Sequence, residues 1–244
     1  MTKEEVLIQC IVDGNIIKLP NIQLERKLYQ DVAKSLNLIG GKWVGGKIYG
    51  FVFNSDPTEL LNQIACGEKR NLKKEYQFFE TPSELADKLV VYADLKEDDV
   101  VLEPSAGQGA IIEAILRSNI NCQVFAIELM EENSLILNKK GFVHEVGDFL
   151  MIPNQPIYDK IVANPPFTGN QDIDHVKHMY ELLKCGGKLV SIVSEHWNTS
   201  SNKKETEFRN WLREVNANTE NIPRGTFKKS GTDVGGFIIT ITKD

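Results

Sequence analysis

Residues 100–128, VVLEPSAGQGAIIEAILRSNINCQVFAIE, decide the fold. Val100–Glu103 is a short β-branched apolar run that ends on an acid. A tight segment holding Gly107 and Gly109 follows, then apolar residues at helical spacing over 108–118, then a second apolar run, Gln123–Glu128. Strand, glycine loop, helix and strand in immediate succession make a βαβ unit, which lays its two strands parallel in one sheet. The alternation continues outward. FVHEV (142–146), YDKIVAN (158–164) and KLVSIVS (188–194) read as further strands, and the tail GGFIITITKD as one more. Helical stretches at 82–93, 130–140, 172–185 and 204–215 separate them. The expectation from about residue 73 onward is an α/β domain around a buried parallel sheet.

The first seventy residues read differently. EVLIQCIVDGNIIKLP (5–20) predicts a hairpin around Asp13-Gly14, and GKWVGGKIYGFVF (41–53) a second around Gly45-Gly46. Leu24, Leu28, Val32 and Leu36 recur every four residues, as on one face of a helix. Asp56-Pro57 begins another helix, with Asp56 as cap and Pro57 at its first position. GEKRNLKKEYQ (67–77) is polar and basic, a linker. The chain therefore divides into a small α+β module, 1–72, and a domain, 73–244.

Composition excludes several classes. With 41% hydrophobic and 25% charged residues the chain is globular. No apolar run approaches the ~18–20 residues that span a bilayer, and MTKEEVLIQC lacks a signal peptide's apolar stretch, so no membrane partner and a cytoplasmic location are expected. Cys10, Cys66, Cys122 and Cys185 are scattered, without CxxC, as reduced thiols are. Net charge is +2 over residues 1–75, −10 over 76–201 and +2 over 202–244. That pattern opposes a general polyanion binder but leaves two flanks that suit a nucleic acid.

Three segments carry chemistry. Gly107 and Gly109 let backbone approach a ligand at a helix N-terminus. The run is not GxGxxG, because Ile112 stands at the third position, and no GK[ST] closes a phosphate loop. A plain strand–helix turn reads the same way. Glu128 ends the next strand, where an acid accepts from ribose hydroxyls or simply faces solvent. Asp148-Phe149 follows the third strand and offers an adenine a carboxylate and a ring, or serves as a turn. Asn164-Pro165-Pro166-Phe167 follows the fourth strand. By residue frequencies such a tetrapeptide arises by chance in roughly one chain in a thousand of this length. Its prolines fix the backbone and remove two donors, leaving carbonyls beside the Asn164 amide. Two acceptors converging on one conjugated –NH2 favour a pyramidal nitrogen with its lone pair free to attack. Phe167 supplies a flat face for a base.

The order of glycine loop, strand-end acid, GDF and NPPF resembles the class I methyltransferases that use S-adenosylmethionine. Within them, NPPF is similar to the enzymes that methylate the adenine amino group of DNA, and YQFFETPSELADKLV (76–90) to their extra cofactor-binding segment. GGKW, QDIDHV (171–176) and GTFKKSGT (225–232) resemble methylase-like proteins of phages and mobile elements. The resemblance, over about 76–244, implies a Rossmann-like seven-stranded sheet with its last strand antiparallel. It implies that Thr81 and the 105–109 loop meet the methionine part of S-adenosylmethionine, with Glu103, Pro104, Ser105, Ala106, Gly107 and Gly109 among the cofactor-binding residues. Glu128 would hold ribose, Leu129 would lie against adenine, and Asp148 and Phe149 would finish that pocket. Asn164 and Pro165, with Pro166 and Phe167, would hold a flipped base for in-line displacement, and no metal is needed. Thr81-Pro82-Ser83-Glu84 also reads as a capping box.

The implied partner is DNA, recognised through the 1–72 module (Trp43, Lys47 and Tyr49 on a hairpin), a partner subunit or a second copy. Core packing explains Trp43 equally well. The same chemistry on an RNA base or a protein glutamine stays open, as does a catalytically idle subunit of a restriction or anti-restriction complex. The glutamine enzymes resembled here carry NPPY, against Phe167. His175 and His178 have metal-binding spacing without a third ligand. His196-Trp197 lines a substrate cleft or packs a loop, and Asp172 with Asp174 reads as a helix N-terminal charge pair. Lys203, Lys204, Arg209, Arg213, Arg224, Lys228 and Lys229 are the candidate phosphate contacts.

Overall fold

The computed structural model describes residues 1–71, 80–228 and 233–244. Two compact units make up the chain, Met1–Gln77 and Phe78–Asp244. Much of the expected linker, part of the 76–90 segment, Lys229 and Gly231 lie outside the described residues.

In the first unit, α1 (Lys3–Ile8) replaces the first arm of the expected hairpin. Thr2 and Glu5 form a reciprocal capping box there, which satisfies end donors that a strand would leave to a partner. The hairpin shrinks to β1 (Ile11–Asp13) and β2 (Ile16–Lys18), joined at Gly14. Helix α2 (Arg26–Leu38) buries Val32 and Leu36 as its spacing predicts. The second hairpin is β3 (Lys42–Val44) and β4 (Gly50–Val52). Helix α3 (Thr58–Ala65) has Pro57, not Asp56, at its cap position, and Asp56 Oδ1 accepts from the Thr58 amide at 2.9 Å. The strands pair antiparallel in the order β1-β2-β4-β3 around a core that includes Leu7, Ile17, Leu36, Phe51 and Leu61.

The second unit opens with α4 (Ser83–Ala93), β5 (Val100–Glu103), α5 (Ala110–Arg117), β6 (Gln123–Glu128) and α6 (Glu131–Lys139). Then come β7 (Glu145–Val146), β8 (Tyr158–Ala163), α7 (Gln171–Leu182), β9 (Leu183–Ser194), α8 (His196–Thr199), α9 (Lys203–Glu214), β10 (Asn218–Ile222) and β11 (Gly236–Thr242). The seven strands run in the order β10-β11-β9-β8-β5-β6-β7. The β5–β6, β6–β7, β5–β8 and β8–β9 pairs are parallel, and β11 is antiparallel to both its neighbours. The expected sheet, with its last strand reversed, is the one observed. Alternate residues of each strand face opposite layers. Leu102, Ile161 and Leu189 pack under α7 and α9, and Val101, Val162 and Val190 under α4 and α5.

Three departures have local causes. FVHEV pairs only at Glu145–Val146, because Phe142 turns back to pack beside Gly109. The polar run NTENI is strand β10, since its ladder to β11 supplies what its side chains do not. The β7–β8 connection is one 3-10 turn, Phe149–Met151, followed by an extended loop. It leaves a groove lined by Phe125, Val143, Met151 and Tyr158.

Gly109 makes the strand–loop–helix turn possible. Its φ is +89°, and a Cβ there would stand 2.8 Å from the Phe142 ring. Gly109→Ala should destabilise this unit by about 1–3 kcal/mol, read as a lower thermal midpoint. An unchanged midpoint would mean that the loop takes another path.

Candidate active site

The sheet reverses its winding at β5: β6 lies on one side and β8 on the other. A crevice opens at such a point beyond the carboxyl ends of the strands. Glu103, Glu128 and Asn164 all stand at that end of their strands, and Thr81 comes from the segment before α4.

Glu103 closes β5 and is 2% exposed. Its carboxyl accepts from the Ile112 amide in the first turn of α5. Its Oε2 is buried and has no hydrogen-bond partner among the described residues. Burial, and then the neighbouring Glu128 charge, hold the Glu103 carboxyl well above the usual range.

Glu128 closes β6 and is 6% exposed. Its Oε2 accepts from the Gly107 amide at 2.6 Å, and its Oε1 from the Met130 amide at 2.7 Å and Asn133 Nδ2 at 3.4 Å. Burial raises this carboxyl, and the three bonds oppose the rise. The loop is held elsewhere too. The Ala106 amide donates to the Ile127 carbonyl at 2.9 Å, and Lys140 Nζ to the Gln108 carbonyl at 2.7 Å. Gln108 Nε2 donates to Asn133 Oδ1 at 3.3 Å. Asn133 thus couples the strand-end acid to the glycine loop. Sequence reasoning missed it. Its one signal is position, five residues beyond Glu128 in the first turn of the next helix.

Asn164 follows the last residue of β8. Leu102 pairs with Ile161, so Pro104 and Ala163 leave the sheet side by side and Asn164 comes next. Adjacent strands lie ~4.8 Å apart, so the chain enters NPPF one strand away from where it enters the glycine loop. Asn164 Nδ2 donates to Thr81 Oγ1 at 3.0 Å. Pro165 is buried; Asn164, Pro166 and Phe167 are half-buried. The Phe167 ring packs against the cluster shared by α4, α5 and β8–β11. Leu129 is exposed beside Glu128.

Some expectations change. Thr81 is not a capping-box residue: Pro82 occupies the cap of α4 without a side-chain bond, and the Thr81 hydroxyl serves Asn164 instead. Phe149 is 2% exposed and packs against His175 and His178 at ring distances of 5.2 and 4.7 Å, so much of its ring is engaged by α7. Asp148 Oδ1 accepts from the Leu150 amide at 2.9 Å, capping the 3-10 turn. Burial drives the His175 pKa down to about 4, so it packs as neutral imidazole.

Beyond NPPF, three links join the loops that follow β8 and β9. Asp172 is fully buried in the first turn of α7, and its Oδ2 accepts from the Ser194 amide at 2.8 Å. Asp174 instead pairs with Lys204 at 2.7 Å. Glu205 Oε1 accepts from Asn170 Nδ2 at 3.0 Å and lies 3.2 Å from His196 Nε2. Arg209 donates to the carbonyls of Trp197 and Ser200, so it is a brace and not a phosphate contact.

Glu103 fixes a pH dependence. A carboxyl raised in the folded state binds more protons there than in the unfolded chain, so stability falls as pH climbs from about 4.5 toward its raised value. Glu103→Gln should remove that loss. The variant's excess stability in urea denaturation should grow with pH across this window. Parallel pH profiles for the two proteins would show that Glu103 is ionised without cost.

No family model matches the chain. Over 92 residues it is 34% identical to ribosomal RNA small subunit methyltransferase A of Prochlorococcus marinus, a match spanning 34% of this chain and 33% of that protein. Among solved structures it is similar to a Vibrio vulnificus protein described as a modification subunit of a type I restriction enzyme. That match has 18% identity and a TM-score of 0.55, over 92% of this chain and 55% of the other. A Listeria monocytogenes protein described as a class I S-adenosylmethionine-dependent methyltransferase matches with 11% identity and a TM-score of 0.54, over 77% of this chain and 67% of that one. The fold is that of the class I S-adenosylmethionine-dependent methyltransferases.

Proposed function

We propose that this protein transfers a methyl group from S-adenosylmethionine to the exocyclic amino group of adenine in DNA. The observation that carries the reading is the placement of Asn164-Pro165 at the end of β8, one strand from the Glu103–Gly109 loop and bonded to Thr81.

The cofactor's residues fit on chemical grounds. Glu103 keeps a buried carboxyl oxygen without a partner beside the loop, a match for a cationic ligand. Glu128 Oε1 already accepts two bonds, but Oε2 accepts only one and so retains capacity for a ribose hydroxyl. Leu129 offers an exposed apolar side chain beside them. When bound, S-adenosylmethionine supplies a methyl carbon already activated on a sulfonium, so no nucleophilic side chain is needed.

The chain's own work is then to position. Thr81 accepts from the Asn164 amide nitrogen and so aims the carboxamide oxygen away from itself, toward an incoming amino group. The Asn164 oxygen and the Pro165 carbonyl would accept hydrogen bonds from the two amino protons; one of these leaves to solvent after the nitrogen–methyl bond forms and the sulfur–methyl bond breaks. Proline lacks an amide proton, so neither Pro165 nor Pro166 introduces a competing donor. Phe167, braced by the core behind it, receives the base face. A base in a duplex must leave the stack to arrive there.

DNA is favoured by the likeness over 92% of the chain to the restriction modification subunit. An RNA base is the second reading, supported by the 34% identity to a ribosomal RNA methyltransferase over 92 residues. Labelled S-adenosylmethionine with DNA, RNA and protein pools, followed by digestion, separates them. Label in adenine of DNA is expected, label in an RNA base supports the second reading, and cofactor binding without transfer overturns both. Asn164→Ala should lower turnover on the order of 10²-fold or more with cofactor affinity nearly unchanged. Glu128→Ala should weaken cofactor binding about 10- to 100-fold by removing charged hydrogen bonds. Intact turnover in Asn164→Ala would remove the role assigned to NPPF.

A further inference from the structure

We propose that the β3–β4 hairpin of the N-terminal unit is a stacking platform for an unpaired nucleic-acid strand. It rests on the reading that the substrate is a nucleic acid, and it assigns strand capture to residues outside the catalytic unit.

Residues 42–49 are exposed without a break. Trp43 and Tyr49 meet edge to face at 5.1 Å, and Trp43 meets Phe51 at the same distance. Phe51 is buried in the core of the unit and anchors the row. Trp43 is 39% exposed and Tyr49 70% exposed. Core packing therefore accounts for Phe51 and part of Trp43 but not for Tyr49.

Tyr49 has φ +42°. A bulky aromatic residue in the left-handed region is strained, and glycine would relieve it. The fold holds an exposed ring in an unfavourable backbone conformation. Tyr49 is the one aromatic residue with positive φ among the described residues, which makes it a candidate functional position.

Charge selects the partner. Lys47 lies in the hairpin turn between the two rings, Lys42 adjoins Trp43 on the other face of β3, and residues 38–55 carry no Asp or Glu. A Cβ at Gly45 or Gly46 would meet nothing within 4 Å, so the hairpin tip is open to a backbone running past it. Aromatic rings with two cations suit bases whose faces are free. A duplex hides those faces, and two lysines alone neutralise too few phosphates to hold one.

The test uses the full chain without cofactor, titrated with single-stranded DNA, single-stranded RNA and duplex DNA of equal length. Single strands should bind more tightly than the duplex, and the DNA and RNA arms identify the source. Tyr49→Gly should weaken single-strand binding roughly 5- to 150-fold while its unfolding midpoint stays level or rises. The double variant Lys42→Gln, Lys47→Gln should lower the slope of log affinity against log salt by about 1.4. Binding by Tyr49→Gly within twofold of wild type, equal affinity for the duplex, or no binding to any oligonucleotide overturns the proposal. Methyl transfer to nucleic acid that persists beside such a result leaves the enzymatic reading standing. Capture of an apolar protein partner, with no strand bound, overturns the platform in favour of a protein interface.

Discussion

The site depends on one buried carboxylate. Glu128 is removed from water at the end of β6, and burial of a charge is costly unless it is hydrogen-bonded. Two backbone amides and an asparagine supply those bonds. One amide belongs to Gly107, so the same interaction that makes burial tolerable folds the glycine loop across the strand ends. Asn133 extends the constraint to Gln108. Glu103 lies on the neighbouring strand, buried and incompletely bonded. The pair places negative or neutral oxygen where a cationic, hydroxyl-bearing ligand would be complementary.

The fold was legible because sheet strands in a parallel layer are buried on both faces and so read as apolar runs. Val100–Glu103, Gln123–Glu128 and Tyr158–Ala163 match their predicted positions nearly to the residue. β10 was illegible because an edge strand needs only a partner's backbone, and Asn218–Ile222 carries little apolar signal. α1 was missed because a capping box outweighed a short apolar run. At the site, strand-end acids and NPPF were readable from type and position. What a side chain does with its neighbours was not. Thr81 carries the same letters whether it caps a helix or holds Asn164, and Phe149 the same letters whether it faces a ligand or the imidazoles of α7.

On the proposed reading, electrostatics constrain how a nucleic acid would approach the second unit. The exposed groove beside β6 and β7 has Glu145 and Asp148 at its rim, and Glu131 and Glu132 open α6 nearby in sequence. That side repels phosphate. The candidate phosphate contacts lie instead on and beyond α9. Lys203 pairs with Glu207, Lys204 with Asp174 and Arg224 with Glu195. Exposed pairs of this kind contribute about 0–1 kcal/mol each, so exchange of a carboxylate for a phosphate costs little. Arg209 differs in kind. Its guanidinium satisfies backbone carbonyls at the turn after α8, and moving it would leave those carbonyls without a donor.

The same links set the stiffness of the segments that follow β8 and β9. The segment after NPPF and the segment after β9 are irregular, and irregular backbone is free to move unless side chains tie it. Asp172 ties α7 to Ser194, and Glu205 ties Asn170 to His196. Both ties use buried carboxylates, as the bond from the Gly107 amide to Glu128 does. A base entering between these loops would meet a frame fixed before it arrives, and the ordering cost of binding falls on the substrate strand. On the proposed reading, that division favours an unpaired strand over a duplex. Its bases have already lost the stacking that a duplex would have to give up, and the pocket itself has little freedom left to lose.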